Sequence, residues 1–150
     1  MHDDLSDHDH PLGFDDVPTT SLLREARGAY ALAIRAVLDE HGIGDVPPNS
    51  AFLLGGLRAG VPYRALARQR HHGIDRGGVV DALVGAGCVR RVDDDVVLTD
   101  RGREVAAACA GATDRLDRFV AATIGPDGYD AMRAGLVALI DWKEAEESRR

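Results

Sequence analysis

Cysteine is nearly absent from this chain. Cys88 and Cys109 are the two among 150 residues, too few for a disulfide scaffold or a four-thiolate zinc site, and neither lies in a C-x-x-C pair, so both are expected to be free thiols. Long apolar runs are missing too. None approaches the roughly 18 residues that span a bilayer, and Met1-His2-Asp3-Asp4 is acidic where a secretory leader is basic. The expected location is the cytoplasm, with no membrane partner. The motifs of nucleotide and hydrolytic chemistry are also wanting: there is no G-x-x-x-x-G-K, no G-x-G-x-x-G after a strand, no H-E-x-x-H and no G-x-S-x-G. Neither catalysis nor a cofactor is expected. His71 and His72 beside Asp75 would make an acid-base or metal cluster only if a turn brought them together, and an aspartate at a helix start is ordinarily a cap.

Hydrophobic residues make up 45% of the chain and charged residues 29%, ordinary values for a protein that folds around one core. The net charge of -7 argues against indiscriminate adhesion to nucleic acid or membranes. It conceals a basic segment. Residues 58 to 91 carry Arg58, Arg64, Arg68, Arg70, Arg76, Arg90 and Arg91 against Asp75 and Asp81, a local excess of +5, whereas the remainder sums to -12. Residues 1 to 20 hold six aspartates and no basic residue, so residues 1–19 read as an acidic mobile tail. His2, His8 and His10 within it read as solvated side chains, and no metal site is expected.

Residues 20–147 read as one domain. From Ser21 to His41 apolar residues recur with a helical period, Leu22, Ala26, Ala29, Ala33 and Ala36 alongside Leu23, Tyr30, Ile34, Val37 and Leu38. Thr19, Thr20 or Ser21 can cap this helix, and Gly42 can stop it. Pro47-Pro48-Asn49 opens a second helix through Ala51, Phe52, Leu53, Leu54 and Leu57, weakened by Gly55-Gly56. A third runs from Tyr63 to about Arg70, with Arg64, Arg68 and Arg70 outward. His71-His72-Gly73 is a turn, Asp75 can cap a fourth helix holding Val79, Val80, Leu83 and Val84, and Gly87 ends it. The period then shifts to two. Cys88 to Val92 and Val96 to Thr99 flank Asp93-Asp94-Asp95 as a tight hairpin. Thr99 caps a fifth helix to Ile124, Gly125-Pro126 breaks it, and Asp127 restarts a sixth.

The fold class is therefore mainly α with a small β-hairpin wing, an α+β arrangement. A winged helix-turn-helix core over about 48–103 is flanked by terminal helices over about 21–41, 100–124 and 127–147. Ala65-Leu66-Ala67, Asp75-Arg76, Val80 to Arg91 with its Leu83-x-x-Ala86-Gly87-x-Val89 exit, and Leu98-Thr99-Asp100-Arg101-Gly102 after the hairpin together resemble the MarR family of bacterial transcriptional regulators. The resemblance follows element order over roughly residues 20 to 147, with the matching positions clustered between 65 and 103.

That resemblance implies a homodimer built from the first and last helices, whose two winged heads read a palindromic operator in double-stranded DNA. The dimer also has a physical warrant: Tyr129, Met132, Leu136, Leu139 and Ile140 form a stripe, with Leu22 on the first helix, and each large apolar side chain left wet forgoes about 1.5 kcal/mol or more. The alternative is that the stripe packs on the first helix within one chain. In the DNA reading Asp75, Arg76, Gly77, Gly78 and Asp81 face the major groove, with Arg76 placed for guanine O6 and N7. Arg64, Arg68, Arg70, His71 and His72 track phosphate, and Arg90, Arg91, Arg101 and Arg103 surround the wing base. By analogy a small aromatic or anionic ligand sits between frame and head against Tyr30, Arg35, Phe52 and Tyr63. Two features depart from the family pattern: the wing tip is Asp93-Asp94-Asp95, which repels phosphate, and the reading helix begins with Gly77-Gly78, which carry no base-reading side chains. They leave open a second reading, a winged module that binds a protein partner. Buried Cys88 and Cys109 read as inert rather than as a redox switch.

Overall fold

The structure, a computed structural model, describes residues 14–68 and 78–150. In chain order these form a short 3-10 turn at Phe14–Asp16, then α1 (Thr19–Glu40), α2 (Ser50–Arg58), α3 (Tyr63–Ala67), α4 (Val79–Gly85), β1 (Val89–Val92), β2 (Asp95–Leu98), α5 (Asp100–Ile124) and α6 (Pro126–Ser148). The two strands pair antiparallel, Val89 opposite Leu98 and Val92 opposite Asp95. This is the winged helix-turn-helix core between long terminal helices that the sequence implies. The link between α3 and α4 and the first thirteen residues of the acidic leader lie outside the described residues.

Several boundaries differ from the sequence expectation for local reasons. No hydroxyl caps α1; Pro18 occupies the N-cap, its fixed φ of -57° leading into the first turn. The fourth helix begins at Val79 with Gly78, not Asp75, at the N-cap. Asp95 belongs to β2 rather than to the turn, so Asp93 and Asp94 alone make the loop, and Asp93 takes the left-handed φ of 53° that such a two-residue hairpin demands. Cys88 precedes β1, and Thr99 leaves β2 to act as the N-cap of α5. α6 starts one residue earlier than Asp127, with Pro126 in its first turn. The Gly55-Gly56 pair lies within an unbroken α2, and a Cβ on Gly56 would stand 2.5 Å from Leu66 Cδ2. Its absence lets α3 lie close.

Leu53, Leu54, Leu83 and Val105 are wholly buried, with Val79, Leu66, Val89 and Val96 around them. At about 1.5 to 3 kcal/mol per large apolar side chain, this cluster holds α2, α3, α4, the hairpin, the first half of α5 and the end of α1 together. Its distribution is lopsided. The buried residues of α1 are Val37 and Leu38, near its end, and those of α5 stop at Ala112. α6 has none. The molecule is thus a packed head from which α1, the far half of α5 and α6 extend as a frame.

Head and frame meet where Val37 and Leu38 enter the core and at a tight joint at the start of α5. The Thr99 hydroxyl accepts from the Gly102 amide at 3.0 Å and donates to the Gly87 carbonyl at 2.6 Å, while the Thr99 amide donates to Cys88 O at 3.0 Å. Gly102 is buried against that same Cys88 carbonyl, and a Cβ there would collide with it. The leucine-threonine-x-x-glycine run therefore has a physical cause, a cap followed by a residue that must have no side chain. Gly102→Ala is expected to lower stability by about 1 to 3 kcal/mol through overpacking, and Thr99→Val by about 1 to 2 kcal/mol through the lost cap. Urea unfolding measures both, and a midpoint unchanged by Gly102→Ala would contradict the contact.

Candidate nucleic-acid interface and adjoining cleft

The head presents its arginines in two groups. Arg64 and Arg68 lie one helical turn apart at α3, both exposed. Arg90 and Arg91 are exposed on β1, where strand alternation sends them to opposite faces; Val89, on the Arg91 face, is buried. Arg64, Arg68 and Arg90 make no ion pair among the described residues, whereas Arg91 Nη2 donates to Asp81 Oδ1 at 2.6 Å and ties the wing to α4. That pair is largely exposed and worth little energy by itself. It nevertheless occupies the carboxylate that the sequence placed toward the groove. Arg70, His71, His72, Asp75, Arg76 and Gly77 lie outside the described residues. Gly78 is described, with φ of 64° at the head of α4.

The two arginines after the wing are engaged with backbone. Arg101 donates from Nη1 to Ala86 O at 2.8 Å and from Nη2 to His41 O at 2.7 Å. Arg103 donates to Leu98 O at 3.2 Å and pairs with Asp100. At the wing tip Asp95 accepts from the Val96 amide at 2.8 Å, and Asp93, Asp94 and Asp95 are all exposed.

A cleft of about 530 Å³ opens between α1, α2 and α5. Three of the four residues assigned to a ligand site, Tyr30, Arg35 and Phe52, line it together. Tyr63 does not. The turn at Gly60-Val61-Pro62 carries it to a separate groove of about 330 Å³ against β2 and Arg103. Arg27 and Arg58 also line the cleft, and no acidic residue does. Sequence reading counts Arg58 with the basic segment and assigns neither arginine to a ligand site, although Arg27, Ala31 and Arg35 recur at the four-residue spacing that puts them on one helical face. Arg35 donates to the Gly44 carbonyl. Arg27 and Arg58 make no ion pair among the described residues, so the cleft carries an excess of positive charge.

Tyr30 does more than line the wall. Its hydroxyl donates to Asp117 Oδ1 on α5 at 2.6 Å, and that hydrogen bond, helped by burial, pushes its pKa from 10.0 up to about 12. Burial likewise raises both thiols: Cys88, partly offset by the nearby Arg101 cation, and Cys109, with a smaller push from Cys88. A raised thiol pKa means little thiolate at neutral pH.

The stripe residues lie open. Leu22, Met132, Leu136, Leu139 and Ile140 are exposed, Leu139 and Ile140 at 51%, and Tyr129 is half-buried with the Arg133 guanidinium 5.9 Å from its ring centre. α6 packs on α5 near the Gly125-Pro126 bend and makes no extensive packing with α1. The alternative, that the stripe packs on the first helix of the same chain, is therefore not met among the described residues.

A packed head with a hairpin wing on long terminal helices defines the winged helix-turn-helix class, in the arrangement found among MarR proteins. The chain is similar in structure to the Mycobacterium tuberculosis MarR family protein Rv2887, with a TM-score of 0.56 and 22% sequence identity over 84% of this chain and 96% of that one. The likeness establishes the fold. No protein-family model matches the chain, and no curated protein sequence matches it significantly.

The Tyr30 hydrogen bond generates a pH prediction. Because folding raises this pKa, its contribution to stability is fully present below pH 10 and is lost as pH rises through about 12. The stability difference between the wild type and Tyr30→Phe should be constant to pH 10 and shrink above it. The chain has three tyrosines, so the tyrosinate absorbance of Tyr30 is read as the difference between the wild type and Tyr30→Phe; a step near pH 10 in that difference, rather than near 12, would contradict the hydrogen bond.

Proposed function

We propose that this protein is a sequence-specific DNA-binding transcriptional regulator of the MarR type, acting as a homodimer on a palindromic operator and released by a small aromatic or anionic ligand. The observation that carries the reading is the division of surface. Arg64, Arg68 and Arg90 are exposed and unpaired among the described residues on the head, while the anionic remainder of the chain carries the apolar frame. Cations on one winged head supply the phosphate contacts that position a reader on a duplex. Arg76 would read guanine, and Arg64, Arg68, Arg70, His71 and His72 would follow the backbone.

Dimerisation is supported by the frame. A 23-residue helix with no buried residue and Leu136, Val137, Leu139, Ile140 and Trp142 in water is unfavourable by itself, and a two-fold partner is the simplest cover. The cleft supports ligand control. Tyr30 and Phe52 offer aromatic faces and Arg27, Arg35 and Arg58 offer charge, which suits a compact aromatic anion.

A second reading, a winged module that docks on protein, is favoured by the acidic tip at Asp93, Asp94 and Asp95 and by the Asp81 carboxylate that holds Arg91. Binding to fragments of the genome decides between them. Specific affinity should fall steeply as salt rises. Arg68→Ala should weaken all sequences alike and reduce the salt slope by about one, whereas Arg76→Ala should relax sequence preference by about 1 to 3 kcal/mol. A wild type with no preference at low salt transfers the assignment to the protein-binding reading. Leu136→Glu should convert the dimer to a monomer in sedimentation and abolish specific binding with it; a wild type that sediments as a monomer overturns the dimer.

A further inference from the structure

We propose that Arg101 is a positioning residue that sets the angle between the winged head and the helical frame, and through it the spacing at which two heads meet a duplex. The inference rests on the DNA reading above and reassigns a residue that the sequence placed among phosphate contacts. Its guanidinium, in the first turn of α5, donates to Ala86 O just beyond α4 and to His41 O just beyond α1, at 2.8 and 2.7 Å. Both acceptors stand at helix C-termini, where terminal carbonyls lack an intrahelical partner and the helix dipole is negative. A planar fork with several donors can hold two such carbonyls at once, which an ammonium cannot do with the same geometry.

The two contacts are not equivalent. The α4 exit is pinned from α5 a second time, by the Thr99 hydroxyl on Gly87 O at 2.6 Å. His41 O receives its donor from Arg101, while the His41 ring is turned back onto Val37 O at 2.8 Å. α1 and α4 share no extensive packing of their own. The end of α1 is also held by Val37 and Leu38 in the core cluster and by its packing along α5, so loss of the guanidinium leaves the head intact and loosens the α4 exit against α1 about that packing. In a two-fold dimer that freedom falls on half-site spacing. A rotation of about 10° on a lever of about 20 Å displaces a reading helix by about 3.5 Å, close to one base-pair step. A phosphate contact behaves otherwise, because its loss weakens every site equally and lowers the salt slope by about one.

The test uses an operator selected by the wild type from a random pool, with its half-sites moved apart or together by one and two base pairs. The wild type should lose about tenfold per base pair of displacement. Arg101→Met should bind the native spacing about tenfold more weakly, with a profile flattened to about threefold across the series and an unchanged salt slope; Arg101→Lys should restore part of the peak. Equal loss at all spacings with a shallower slope overturns the proposal. A second arm does not depend on DNA. Spin labels at Arg24→Cys on α1 and Val84→Cys on α4, diluted with unlabelled protein so that only distances within a protomer are read, should give one narrow distance that broadens in Arg101→Met. If no operator is selected the DNA reading fails, and this distance still decides the clamp: a distribution unchanged by Arg101→Met overturns it.

Discussion

The contact of Gly102 with the Cys88 carbonyl is the constraint on which the rest of the molecule depends. Four elements end or begin within a few residues of it, α4, β1, β2 and α5, and α5 leaves from it as a long helix. The carbonyl is occupied on one side by the Thr99 amide and covered on the other by a residue without a side chain. The Thr99 hydroxyl closes the α4 exit against the same turn. Arg101 extends the joint outward to the end of α1. Hydrogen bonds to charged donors and to caps are modest one at a time, but here they act across elements that the hydrophobic cluster has already brought together, so they fix direction more than they add stability.

Beyond that joint the chain separates two tasks. The head buries nearly all of the large apolar side chains that are covered in the protomer, and its surface keeps arginines. The frame does the reverse, with Leu32 at 72%, Phe119 at 67% and Trp142 at 66% exposed. Burial in the head follows from five short elements closing on one another. The frame has only three long helices, and a pair or trio of splayed helices has too little mutual surface to bury its own stripe. The cleft lies at the boundary, where α1 and α5 diverge over α2, and so gathers residues from both parts. Tyr30 reaches across it to Asp117, and the Arg133 cation of α6 lies close enough to act on the same phenol.

Much of this was legible from residue order. The change of hydrophobic period from 3.6 to 2 at Val89 located the hairpin, Thr99 announced the α5 cap, and Gly42 and Gly87 marked the ends of α1 and α4 with φ of 73° and 75°. The stripe Tyr129, Met132, Leu136, Leu139 and Ile140 was visible from its spacing, although spacing is silent on what covers it. The start of α4 was less legible, since Asp75 is a good cap by type while Gly78 holds the position. The guanidiniums of Arg101 and Arg103 could not be assigned from sequence, because an exposed arginine near a wing has the same local pattern whether it meets phosphate or a carbonyl 60 residues away.

Local chemistry by itself determined the elements here: helix periods, caps, glycine stops and the alternation of a short hairpin depend on neighbours within a turn or two. Tertiary structure alone decided the partners, that Tyr30 meets Asp117, that Arg101 grips His41 O and Ala86 O, and that Tyr63 turns away from the cleft shared by Tyr30, Arg35 and Phe52. The physical reason is range. Backbone propensity acts over a few residues, whereas these contacts join positions up to 87 residues apart and exist only after the core has set the angles between helices.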